Sequence, residues 1–172
     1  MKRKARVLVA GLAAASMLAF GGCSVRAQTG FTVNGDVTSM STITDTINGC
    51  ATAFGEIPSD LSAASVVDAM IVAQISRDMA KQMNAPASDS DLGAMIQTGQ
   101  IQGLTPSMMS DPACGSLAVG MAWQMLLASQ MGSASFLTAV QSYDVTVNPR
   151  FGTWDPTKLS LSGSGSLSQP AN

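Results

Sequence analysis

The chain contains no histidine, and only 12% of its 172 residues are charged and 5% aromatic. Without an imidazole no serine can be paired with the commonest general base, and no Gly-x-Ser-x-Gly elbow occurs. Serine–lysine catalysis would fall to Lys81 or Lys158, and neither sits in a recognisable motif. Glu56 is the only glutamate and no sugar-stacking aromatic cluster accompanies it, which argues against glycoside hydrolysis. Basic residues are scarce as well. Four of the nine fall in the first six positions, so residues 23–172 carry five basic side chains against eleven acidic ones, a net charge of −6. Phosphate neutralisation needs clustered Lys and Arg, so nucleic acid is not an expected partner. Asp89 and Asp91 match half of a calcium loop, but its Gly and terminal Glu are missing, and both read as solvated acids at a helix start. The residues therefore point to no enzyme, no cofactor and no metal.

What is present begins with export. Four basic residues precede an uncharged run over residues 7–20, followed by Gly21, Gly22 and Cys23. The run fits a secretory h-region and falls short of the roughly 20 apolar residues that span a bilayer. Gly21-Gly22-Cys23 resembles a bacterial lipobox, with Phe20 where the pattern prefers Leu, Val or Ile. The resemblance implies cleavage after Gly22, a diacylglycerol thioether on Cys23 and a signal peptide over residues 1–22. A second acyl chain turns marginal membrane binding into stable anchoring, so lipidated Cys23 would hold the protein to the outer face of the cytoplasmic membrane. In that oxidising compartment Cys50 and Cys114 form an even pair. A bond between them closes a loop of about 65 residues and contributes roughly 4 kcal/mol by the loop-entropy argument. The other reading is two separate buried thiols.

The remaining 150 residues suffice for one domain with a modest core. Residues 23–30 read as a polar tether. Phe31-Thr32-Val33 alternates and runs into Asn34-Gly35, a strand leading into a turn. Apolar periodicity and Gly/Pro breakers then give helices over 39–54 (capped by Ser39 or Ser41), 61–83 (capped by Asp60), 89–97, 113–130 and 133–142. The fourth is apolar almost all round and should be the most buried. A second alternating stretch, residues 144–148, is the expected partner of residues 31–34. The fold expected is a mostly α bundle of about five helices, closed by a two-stranded sheet joining the two ends. Residues 159–172 read as a flexible tail.

Ten methionines lie beyond residue 22. They fill a core short of Leu and aromatics, or they line an adaptable binding surface. Soft thioethers also suit Cu(I), with Met108, Met109, Met121 and Met125 as that set. Near the end, Phe151 and Trp154 either line a groove or clamp the returning strand, with Arg150 pairing to an acid or capping a helix.

The lipobox, the strand at residues 31–35 and the run Val145-Thr146-Val147-Asn148-Pro149-Arg150-Phe151-Gly152-Thr153-Trp154-Asp155 together resemble actinobacterial lipoproteins with a SurA N-terminal-like domain. The likeness spans the chain from Cys23 onward and is sharp at its two ends. It implies that first and last strands pair, and that residues 31–158 form a peptide-binding module of the SurA and trigger-factor type. Such modules cradle unfolded or extended polypeptide on an apolar surface, for which Met70, Met108, Met109, Phe151 and Trp154 are the candidates. A parvulin domain would need roughly 90 further residues and histidines. The function expected is thus a non-catalytic, chaperone-like or peptide-binding lipoprotein, or else an assembly partner of a single envelope protein.

Overall fold

The computed structural model describes residues 28–163; the expected signal peptide, Cys23, most of the expected tether and residues 164–172 lie outside them. The described chain is mostly helical. Its elements run β1 (Thr29–Val33), β2 (Asp36–Ser39), α1 (Met40–Phe54), α2 (Ala63–Gln82), α3 (Asp89–Gln97), α4 (Pro112–Met131), α5 (Ser133–Val140), β3 (Val145–Val147), β4 (Thr153–Asp155) and β5 (Ser160–Ser162). Single 3-10 turns lie at Pro58–Asp60, Pro106–Ser110 and Pro149–Phe151.

Caps set the helix boundaries. Ser39 Oγ accepts from the Thr42 amide at 3.1 Å to start α1, and Gly55, at φ 71°, ends it in the left-handed region that glycine enters freely. The cap of α2 is Ser62, not Asp60: its hydroxyl accepts from Ser65 N at 3.3 Å. Ser88 and Asp91 form a reciprocal capping box at the start of α3. Asp111 Oδ1 accepts from the amides of Ala113 and Cys114 at 2.8 and 3.0 Å, and Pro112 occupies the first turn of α4, where its missing N–H costs nothing.

α4 is the hub, as its all-round apolar sequence requires. Cys114, Leu117, Ala118, Ala122, Trp123 and Leu127 are all buried along it. It packs on α2 so closely that a Cβ at Gly120 would collide with the Ala73 side chain and lie 3.0 Å from the Ala73 Cα. Cys50 of α1 and Cys114 of α4 are joined as a disulfide, with Cα atoms 4.8 Å apart, and both are buried.

The ends of the chain meet as expected, but the sheet is larger. β1 is the central strand of three, in the order β2-β1-β3. Phe31 pairs with Val147, Thr32 with Thr146 and Val33 with Val145, so residues some 115 apart in sequence become neighbours. On the other side Phe31 faces Thr38 and Val33 faces Asp36. The extra strand follows from Asn34-Gly35, whose positive φ values of 48° and 88° make the tight hairpin turn such a dipeptide favours. Two boundaries move accordingly. β1 begins at Thr29, inside the expected tether, and the expected tail contains β5, which pairs with β4 through Trp154 and Leu161.

Candidate functional site

An open groove of about 480 Å³ lies between the β1–β2 hairpin and three helices. β2 contributes Asp36 and Thr38, α1 contributes Thr42, Asp45 and Thr46, and α4 contributes Ser116 and Leu117. α2 runs along it with Met70, Ala73, Gln74, Arg77, Asp78 and Lys81. Buried Phe31 and Leu117 and half-buried Met70 give an apolar floor; hydroxyl, amide and charged groups form the walls. The Thr38 hydroxyl donates to Gln74 Oε1 at 3.2 Å, fastening the hairpin to α2 at the rim.

Beyond the groove, Asp89 gathers two donors. Trp123 Nε1 reaches its Oδ1 at 2.6 Å and Arg77 Nε its Oδ2 at 3.3 Å. Arg77 also donates to the carbonyl and hydroxyl oxygens of Ser116. Asp89 is therefore more than a solvated acid, because it orients the guanidinium that bounds the groove. Spacing alone could not show this, since Arg77, Asp89 and Trp123 come from three helices.

The five binding candidates do not form one surface. Met70 lines the groove. Met108 is buried among the core residues, and Met109 lies half-buried against Gly115, its Cε 3.4 Å from where a Cβ would sit. Phe151 is buried beneath a second groove of about 460 Å³ with Met40, Ile43 and Ile47, and Arg150 stacks over its ring at 6.0 Å from the centroid. Trp154 is half-buried in the β4–β5 hairpin, its indole N–H making no hydrogen bond among the described residues. Phe151 belongs to the buried core, and Trp154 packs partly buried against it. Of the thioethers weighed for copper, Met109 packs at Gly115 and Met125 stands ten residues further along α4, about 15 Å at helical rise. Among the described residues no cluster of three Cys, Asp or Glu could hold a metal, and no helix is long and apolar enough to cross a membrane.

Shifted ionisation follows local structure. Burial pushes the Asp68 carboxyl up from its ordinary value, against the Leu161 N–H that Asp68 Oδ1 accepts at 2.7 Å. Burial, and then the charge of Asp78, raises Tyr143. The Ser88 hydroxyl and amide hold Asp91 down, and those of Thr157 do the same for Asp155. None of these four groups shares a hydrogen bond with another.

Comparison with known proteins adds no name to this geometry: no protein family matches the chain, and no curated protein or solved structure is significantly similar to it.

Proposed function

We propose that this protein is a membrane-anchored, non-catalytic peptide-binding lipoprotein of chaperone-like type. It would be held by lipidated Cys23 on the outer face of the cytoplasmic membrane, with the groove beside β2 as its binding site. The observation that carries the reading is the groove's construction: an apolar floor of Phe31, Met70 and Leu117 beneath polar walls, at the margin of a sheet. Ligand sites combine apolar lining with a few placed polar groups, and Met70 is the adaptable side chain suited to varied occupants.

A second reading, dedicated assembly with one envelope protein, is favoured by how the exposed apolar side chains are spread. Val37, Phe54, Ile57, Met83, Met95 and Met125 are exposed but belong to different elements. A general holdase needs contiguous apolar surface, whereas one partner needs only a fitted patch.

Crosslinking of the lipidated protein in native membranes separates the two. Peptide binding predicts many exported, partly folded proteins, lost with Met70→Glu and kept with Trp154→Ala. One stoichiometric partner retained by both variants would overturn it in favour of the assembly reading. For the anchor, Cys23→Ser should move the protein from the membrane to the soluble fraction, and unchanged partitioning would refute lipidation there.

A further inference from the structure

β2 pairs on one side only. Among the described residues the other side of Asp36–Ser39 has no strand neighbour, so its outward N–H and C=O groups are open to another chain. Asp36 and Thr38 stand opposite Val33 and Phe31 and share their helix-facing side of the sheet. Val37 points the other way and is 65% exposed. The groove opens on that helix-facing side of the hairpin, with Met70 and Gln74 of α2 also lining it. A strand laid against β2 at the usual spacing of about 4.8 Å would send every second side chain toward that floor.

The charges in the groove define what enters. Asp36, Asp45 and Asp78 line it against Arg77 and Lys81. Arg77 is neutralised by Asp89 at 3.3 Å, and Lys81 lies 4.0 Å from Asp78 with most of its side chain in solvent. Among the described residues the carboxylate of neither Asp36 nor Asp45 makes a hydrogen bond or ion pair. Two carboxylates without cations therefore flank an apolar floor beside an open sheet edge.

We propose that the groove captures an extended, cationic polypeptide segment by strand addition to β2. Side chains on one face of the segment enter the groove, apolar ones over Met70 and Lys or Arg ones toward Asp36 and Asp45, while those on its other face point away with Val37. The inference rests on the peptide-binding reading and specifies the backbone mode and the charge of the occupant.

The test uses the full-length protein in detergent and three labelled eight-residue peptides followed by fluorescence anisotropy. The first, the Lys–Val peptide, repeats Lys-Thr-Val-Thr so that Lys and Val share one face, the second repeats Glu-Thr-Val-Thr, and the third is the Lys–Val peptide with its backbone amides N-methylated. The Lys–Val peptide should bind at least about tenfold more tightly than either of the others, since methylation removes the backbone donors and Glu meets like charge. Asp36→Asn with Asp45→Asn should weaken Lys–Val binding about fivefold, the worth of one or two exposed ion pairs, while Glu56→Gln leaves it unchanged. Both aspartates are exposed, so folding is not at risk. Equal binding of all three peptides, or indifference to the double substitution, would overturn strand addition and leave the peptide-binding reading standing. Failure of every peptide to bind would overturn both.

Discussion

The two sides of the three-stranded sheet are finished in opposite ways. On the β3 side the chain is locked down. Asn148 donates through its backbone to Gly30 O at 2.8 Å and through Nδ2 to Thr29 O at 2.9 Å. At the other end of the same strand pair Asn34 N donates to Asp144 O, and Asp144 N donates to Asn34 Oδ1. Phe151 is buried just beyond, and the β4–β5 hairpin is tied back to α2 through Asp68. On the β2 side there are four residues, an exposed valine, an aspartate whose carboxylate has no partner among the described residues, and an open groove. A short edge strand with an inward-facing charge is how sheets resist indiscriminate pairing, so this edge is guarded rather than merely unfinished. Backbone pairing closes one side for stability, whereas on the other α1 and α4, two walls of the groove, are joined to each other by Cys50–Cys114.

That division can be broken experimentally. The largest effect should come from the disulfide, because α1 and α4 are two walls of the groove and Cys50–Cys114 joins them. Replacing both cysteines by alanine should cost about 4 kcal/mol in urea denaturation and also weaken peptide binding per folded molecule. Stability lost with binding unchanged would show that the groove does not depend on that link.

Phe151→Ala comes next. Phe151 is 8% exposed and lines the second groove together with Met40, Ile43 and Ile47. Truncation should cost about 3 kcal/mol, at the low end for a buried aromatic because the site lies near the margin of the core. Binding in the groove should survive, since the damage falls on the closed side. A variant that folds normally but no longer binds peptide would put the site at Phe151 instead.

Much of this plan is legible in sequence, and what escapes does so for a physical reason. Helix α3 is readable to the residue because Ser88 and Asp91 make a capping box and glycine and polar residues follow Gln97. The pairing of residues 31–33 with 145–147 is readable because both alternate and each needs a partner. β2 is not readable by alternation, because Asp-Val-Thr-Ser has a single apolar residue; only the Asn34-Gly35 turn announces it. β5 is hidden for the same reason, a three-residue Ser-Leu-Ser strand inside a Ser/Gly-rich stretch. The groove is hardest of all. Asp36, Asp45, Met70 and Ser116 meet only after the hairpin, α1, α2 and α4 are assembled, and a carboxylate's lack of a partner has no sequence signature. The same holds for the methionines, where composition marks an excess but only packing separates buried Met108 from groove-lining Met70.

Smaller effects come from pH, and the closed side carries two carboxyl groups shifted in opposite directions. Asp155 is held below its ordinary value of 3.8 by the Thr157 hydroxyl and amide. Its contribution is present above that value and lost as pH falls through the lower folded value. Asp68 is raised, so its proton is bound more tightly in the folded state. Its contribution is fully present in acid and fades as pH rises from 3.8 through the raised folded value. Asp68→Asn keeps an oxygen for Leu161 N–H but abolishes that acid-side gain. The variant's stability should therefore fall more steeply than the parent's as pH drops from 7 toward 4, in urea titrations at each pH. Parallel curves would mean that burial does not govern Asp68.

The smallest expected effect tests the open side most directly. Val37 is the apolar residue of β2, yet it is 65% exposed and points away from the helices, opposite Thr32. If β2 is an edge that contributes little to the fold by itself, Val37→Thr should change unfolding stability by no more than about 0.5 kcal/mol, the range for surface positions without special contacts. Threonine keeps the β-branch and so preserves strand preference, which isolates the effect of apolar area. Peptide affinity should also hold, because the groove lies on the opposite face, under Asp36 and Thr38. A loss above 1 kcal/mol would mean that the outer face of the sheet is itself packed, and the contrast between a locked and an open side would fail. Stability held but peptide binding lost would move the binding surface to the outer face of β2. The helix-side groove would then be left as a packing seam.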